Sequence, residues 1–253
     1  MVRFRTWHRW GLLPAAACMA GCLAACQAGP GQPEPLDSPP STVHVSTAPV
    51  TETATATRPA LTPEARAELD QRLIRAAKAN DAGAVSELIS AGGDVNAKDA
   101  IHDSAFLYAG AEGFNEVLQL TLSAGADVRS TNRFGGTALI PASEHGHVET
   151  VRILIAAGVP VNHVNNLGWT ALQEAILLND GGPRQQDVVR LLLEAGADPG
   201  IRDPQGRTAL ENADRLGFTG IAALIRGALT QLSSSRCHFE GSKRHLLLFT
   251  WVG

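Results

Sequence analysis

Aromatic residues are scarce in this chain: 5% of its 253 residues, with a single tyrosine. A core drawn from Ala, Leu, Val and Ile suits small stacked helices. Long apolar runs are missing too, since none reaches the roughly 18–20 residues that span a bilayer. Cysteine is rare and unevenly placed: Cys18, Cys22 and Cys26 crowd the start, and Cys237 stands alone. A basic excess is also absent. Arg3, Arg5 and Arg9 stand in the first 25 residues with no acid, and the remainder carries 18 basic against 25 acidic residues, a net of −7. Nucleic-acid binding rests on phosphate neutralisation by Lys and Arg, so that class is excluded. There is no P-loop, dinucleotide fingerprint or nucleophile motif.

What is present is a beat. Ala91-Gly92-Gly93-Asp94 returns as Ala124-Gly125-Ala126-Asp127, Ala157-Gly158-Val159-Pro160 and Ala195-Gly196-Ala197-Asp198, at offsets of 33, 33 and 38 residues. Ser104-Ala105-Phe106, Thr137-Ala138-Leu139, Thr170-Ala171-Leu172 and Thr208-Ala209-Leu210 keep the same offsets. Two unlike motifs locked in one phase define a repeat array. Each unit reads as turn, short helix, tight turn, longer helix, Ala-Gly loop. Ser104, Thr137, Thr170 and Thr208 are expected to cap the first helices, with capping boxes to Gln173 and Glu211. Gly113, Gly146 and Gly217 are expected to stop those helices. Val85, Leu88 and Ile89, then Val148, Val151, Leu154 and Ile155, then Val189, Leu192 and Leu193 have the apolar spacing of second helices.

These units resemble ankyrin repeats. Thr-Ala-Leu stands where that family usually has Thr-Pro-Leu-His, Gly146-His147 matches its inter-helix Gly-His, and Ala-Gly-Ala-Asp matches the loop before each finger. The resemblance covers about residues 64–228 and implies an all-α repeat solenoid of about five ankyrin repeats, paired antiparallel helices with β-hairpin finger loops. It also implies a binding module with a protein partner, no cofactor and no metal, and a monomer.

The start of the chain reads as an address. A basic opening, a short apolar stretch and small residues describe a secretory signal over residues 1–25. Leu23-Ala24-Ala25-Cys26 resembles the bacterial lipobox, which implies lipidation at Cys26 and membrane contact through that lipid alone. Met19-Ala20-Gly21-Cys22 is a weaker second match, and an ordinary cleaved signal with a soluble periplasmic product is the alternative. Gln27, rather than Asp, follows the cysteine, which implies an outer-membrane lipoprotein on the periplasmic side. Lipidated Cys26 would head a proline-rich tether over 26–63, with a typical span of about 35 Å. Cys237 would then have no intramolecular disulfide partner.

The beat falters in three places. Five extra residues stand near Asn179–Arg184, as a surface loop or on a working face. Pro141, four residues after Thr137, removes the first helical hydrogen bond; the outcome is a distorted first turn or a functional site. Phe134 and Trp169 fall in neighbouring fingers and read as an interaction hot spot, or as rings folded onto their own fingers. By the family's pattern, partners meet the fingers and the exposed face of the first helices. The candidate partner-binding residues are Arg133, Phe134, Asn166, Leu167, Trp169 and Arg207 on fingers, with Glu144, His145, Leu177 and Leu178 on helices. A second reading is a small-ligand or hydrolytic site in the groove around Glu144, His145 and Glu174, although no zinc-type spacing supports it. Residues 229–253 form an irregular tail, basic at Lys243-Arg244-His245 and then apolar and β-prone over 246–252.

Overall fold

Capping chemistry opens the first helix: Thr62 accepts from the Ala65 N–H, Pro63 sits in the first turn, and Glu64 meets the positive end of the helix dipole. The computed structural model describes residues 61–231, which lie in one compact unit, Thr57–Gly253. The signal, Cys26, the tether through residue 60, Cys237 and the apolar run 246–252 lie outside the described residues.

The helices come in pairs: α1 (Pro63–Lys78) with α2 (Ala82–Ser90), α3 (Ala105–Glu112) with α4 (Asn115–Ser123), and α5 (Leu139–Glu144) with α6 (Val148–Ala156). Then follow α7 (Ala171–Leu177) with α8 (Pro183–Glu194), and α9 (Ala209–Leu216) with α10 (residues 219–231). First helices stack in the order α1, α3, α5, α7, α9, and second helices in the order α2, α4, α6, α8. This is a two-layer all-α repeat solenoid.

The 33-residue beat sets the packing. Ala105, Ala138, Ala171 and Ala209 share one register and Ala109, Ala142, Ala175 and Ala213 another, and all eight are buried. Small residues let first helices approach closely. A Cβ added at Gly110 would stand 2.8 Å from the Ala138 Cβ. Second helices fill the space behind with Val85, Leu88, Val117, Leu118, Val151, Leu154, Val189 and Leu192. The final unit adds Ile221 and Ile225. Each unit touches only its neighbours, so stability is built from unit and interface terms.

Three of the four expected caps form. Ser104 accepts from the Leu107 N–H, and Thr170 and Thr208 make full capping boxes with Gln173 and Glu211. Thr137 does not cap. Its counterparts give their carbonyl to the N–H four residues on and their hydroxyl to the N–H three residues on. Pro141 has no N–H to offer, so the Ile140 N–H turns to the Thr137 carbonyl at 3.2 Å. The Thr137 hydroxyl is left buried without a partner, and α5 starts late, at Leu139.

The fingers are short closed loops. Among the described residues none is in a β-strand. Each finger is instead a side-chain-built loop.

Candidate partner-binding surface

Four polar residues on the 33-33-38 beat build the fingers: Asp99, Asn132, Asn165 and Asp203. In each, Oδ1 accepts two backbone N–H groups, from the residues two and four places on. The distances run from 2.8 to 3.0 Å. The backbone closes the same loop, with the first residue's N–H bonded to the fifth residue's carbonyl. These are Asx turns, which let a short side chain stand in for missing ladder bonds. The fourth residue of each loop needs positive φ. Gly135, Gly168 and Gly206 supply it at 69°, 79° and 76°, whereas the first finger has His102 at 63°.

The Asx bond fixes the third residue of each loop at the tip. The tips are Ile101, Phe134, Leu167 and Gln205, so three successive fingers present an apolar side chain in one register. Leu167 is 51% and Ile101 48% exposed, and Phe134 is half-buried with the Arg133 guanidinium 4.8 Å above its ring. Neighbouring fingers touch. The Asn166 N–H donates to the Phe134 carbonyl at 2.9 Å, and a Cβ at Gly135 would meet Asn166 Oδ1 at 2.4 Å. His163 Nε2 lies 2.6 Å from the Gly135 carbonyl.

The predicted finger residues separate by environment. Asn166 and Leu167 are exposed. Arg133 is exposed and bridges to Asp103 of the preceding finger at 3.0 Å. Arg207 is held within its own finger, 3.3 Å from Asp203 and 3.1 Å from Gln205. Trp169 is half-buried, and its indole N–H is buried without a hydrogen-bond partner.

On the helices, Leu178 is 41% exposed, and Leu177, Glu144 and His145 are half-buried. His145 Nδ1 lies 2.8 Å from the Ala111 carbonyl of the preceding unit. His147 packs where a Cβ on Gly113 would meet its ring at 2.9 Å, and burial pulls its pKa below the usual histidine value, helped by His145. Glu174 is buried on α7, with Asn165 Nδ2 donating to its Oε1 at 2.7 Å. Burial, then repulsion from Glu144, pushes its pKa up to about 8. Asn165 therefore joins Glu174 on one side to the Leu167 and Trp169 amides on the other. Among the described residues, no group of three or more His, Cys, Asp or Glu is placed to hold a metal.

The extra residues of the fourth unit are divided. The α7–α8 connection has five residues against three for α5–α6, and α8 has 12 residues against nine for α6. The connection is tightly built: Asn179 Nδ2 donates to the Glu174 and Ala175 carbonyls, and Gln185 Nε2 donates to Asn179 Oδ1. Phe218 of the next unit covers Gly181.

The family described as Ankyrin repeats (3 copies) matches residues 106–203. An ankyrin repeat domain from Acinetobacter baumannii AYE is similar in structure, with 58% identity and a TM-score of 0.61, over 62% of this chain and 80% of that one. The ankyrin repeat protein EF0377 is similar at 42% identity and a TM-score of 0.59, over 61% of this chain and 78% of that one. A protein of Escherichia coli (strain K12) named for ankyrin repeats, YahD, is 54% identical over 57 residues. That match spans 22% of this chain and 28% of the curated relative's length.

Proposed function

The chain belongs to the ankyrin-repeat family, and from that premise we propose that it is a non-catalytic module that binds a protein partner through its finger tips and the adjoining first-helix face. Ankyrin repeats generally mediate protein–protein interaction. The observation that carries the reading is the apolar tip row Ile101, Phe134 and Leu167, set by Asx turns on fingers that touch one another. An apolar row that is exposed at Ile101 and Leu167, on a pre-formed backbone, loses little entropy on binding. Arg133, Asn166, Trp169, Glu144, His145, Leu177, Leu178 and Arg207 flank it. In this reading a lipid on Cys26 holds the array at the periplasmic side of the outer membrane, and the proline-rich tether gives it reach.

The test is affinity capture from envelope extracts. Leu167→Glu is expected to reduce capture of a specific partner at least tenfold while the helical circular dichroism stays unchanged. Equal capture by the variant would remove the finger tips from the interface.

One observation favours a second reading: Glu174 holds a proton at neutral pH, as a general acid would. A small-ligand or hydrolytic site around Glu144, His145 and Glu174 would lose turnover or ligand binding in Glu174→Gln with the fold intact.

A further inference from the structure

Two fingers of the array set an acid against an amide, and they exchange the roles. In the fourth finger, Asp203 at the base accepts from the Nδ2 of Asn212, nine residues on, at 2.9 Å. In the third, Asn165 is the base and Glu174 of α7, again nine residues on, is the acid, with Asn165 Nδ2 donating to its Oε1 at 2.7 Å. The exchange moves the carboxyl from a site built for charge to one that is not. Burial works against the Asp203 charge, yet the Asn212 amide, the Arg207 backbone N–H and the Arg207 guanidinium together hold the group below the usual carboxylate value. Asp99 of the first finger likewise has Lys78 as a partner. Glu174 is 5% exposed, and among the described residues its carboxyl accepts one hydrogen bond, from an uncharged amide.

The helices packed on α7 bring it no cation. Helix α5 brings Glu144, whose charge repels that of Glu174. His145, at the end of α5, sets its Nδ1 against the Ala111 carbonyl of the preceding unit. On α8, Arg184 lies beside His147, and Arg190 pairs with Asp187. On α9, Arg215 donates to Asn212, while Glu211 and Asp214 pair with Arg202 and Arg226. Glu144 is the one charged group among the described residues that acts on Glu174.

Asn165 ties this carboxyl to the tip. It is 7% exposed and works on both sides: Nδ2 donates to Glu174, and Oδ1 accepts the Leu167 and Trp169 N–H groups at 3.0 Å each. Loss of the Glu174 proton puts a charge where burial and Glu144 oppose it. One neutral donor does not offset those two, since the group holds its proton above the ordinary value. Glu174 lies at the edge of solvent, so rotation about its side-chain bonds brings the carboxylate to water. Asn165 Nδ2 is then buried without an acceptor, a cost that favours rotation of the amide as well. That rotation withdraws Oδ1 from the two N–H groups that shape the tip.

We infer that the third finger is proton-gated: protonated Glu174 braces Asn165 and holds Leu167 at the tip, and the ionised carboxylate releases both. The tip is ordered below about pH 8 and slackens as pH rises through that value. A slack tip must be ordered before it can bind, which weakens its hold on a partner. Only that consequence rests on the partner-binding reading; the gate is a property of the free protein.

Amide hydrogen exchange on the full chain, resolved by NMR, tests the gate with no partner present. After correction for intrinsic rates, protection of the Leu167 and Trp169 N–H groups is expected to fall about fivefold or more from pH 6 to pH 9. The Phe134 and Gly136 N–H groups, held in the same way by Asn132, should stay constant. In Glu174→Gln, which keeps the acceptor for Asn165, the fall should vanish, and in Glu144→Gln its midpoint should move to lower pH. Constant or rising protection at Leu167 and Trp169 would overturn the inference. So would an equal fall at Phe134 and Gly136, a fall that persists in Glu174→Gln, or an unmoved midpoint in Glu144→Gln. Partner capture by Leu167→Glu is read separately, so failure of the gate and failure of the binding surface are distinguishable.

Discussion

Glu174 occupies a place that penalises its charge. It is buried, α5 offers it Glu144 rather than a cation, and neither α8 nor α9, which also pack on α7, contributes a charge to its ionisation. The native carboxyl keeps its proton up to about pH 8, whereas an unfolded one releases it near the ordinary value of 4.5. Between those values the native state binds more protons, so this group lowers stability as pH rises, by up to about 1.4 kcal/mol per pH unit. Below pH 4.5 and above pH 8 its contribution is flat. Glu174→Gln keeps the acceptor for Asn165 and is expected to flatten the decline in urea midpoint between pH 5 and 8; parallel slopes for the two proteins would refute this. His102 carries a different cost. It holds φ 63° where the other fingers have glycine, and a side chain in that region is strained by about 1 kcal/mol. His102→Gly is expected to raise the urea midpoint by about that free energy, and a lowered midpoint would mean the imidazole makes a contact worth more than the strain.

Helix α5 shows how one missing proton propagates through an element. Pro141 diverts the Ile140 N–H, which orphans the Thr137 hydroxyl, which delays the start of the helix. Pro141→Ala restores an N–H to the Thr137 carbonyl and frees Ile140 for the hydroxyl, as in the other units. A gain of about 1–2 kcal/mol in unfolding free energy is expected from chemical denaturation, the range for a formed cap; no gain would mean that the neighbouring helices, not the proline, set the turn. The same element marks the limit of what sequence could reveal. The boxes at Thr170 and Thr208 were legible because both partners lie within one turn of each other. At Pro141 the lost bond was legible, but the rerouting of Ile140 was not, because it depends on which acceptor wins. The fingers were placed by resemblance, but the side chains that close them were not identified. Asp99, Asn132, Asn165 and Asp203 kept the beat in plain view, yet spacing alone did not show that their side chains hold the turns. Trp169 lies on the expected finger, but spacing could not show that its indole is half-buried.

At the scale of the whole molecule, the proposed reading makes the array's stability and its address separable. The described core is continuous from Leu69 to Ile225, and each described unit rests on its neighbours. Membrane attachment, in the proposed reading, comes from acyl chains on Cys26. Each buried methylene contributes about 0.8 kcal/mol, so stable anchoring needs more than one chain and disappears with the acceptor sulfur. In that reading the proline-rich stretch acts as a flexible linker, which transmits no packing. Cys26→Ser is therefore expected to move the protein from the membrane pellet to the soluble envelope fraction, with the urea midpoint of the array unchanged. Retention in the pellet would point to anchoring by another part of the chain. A shifted midpoint would show that the lipid end and the repeats are coupled, against the one-dimensional account of the fold.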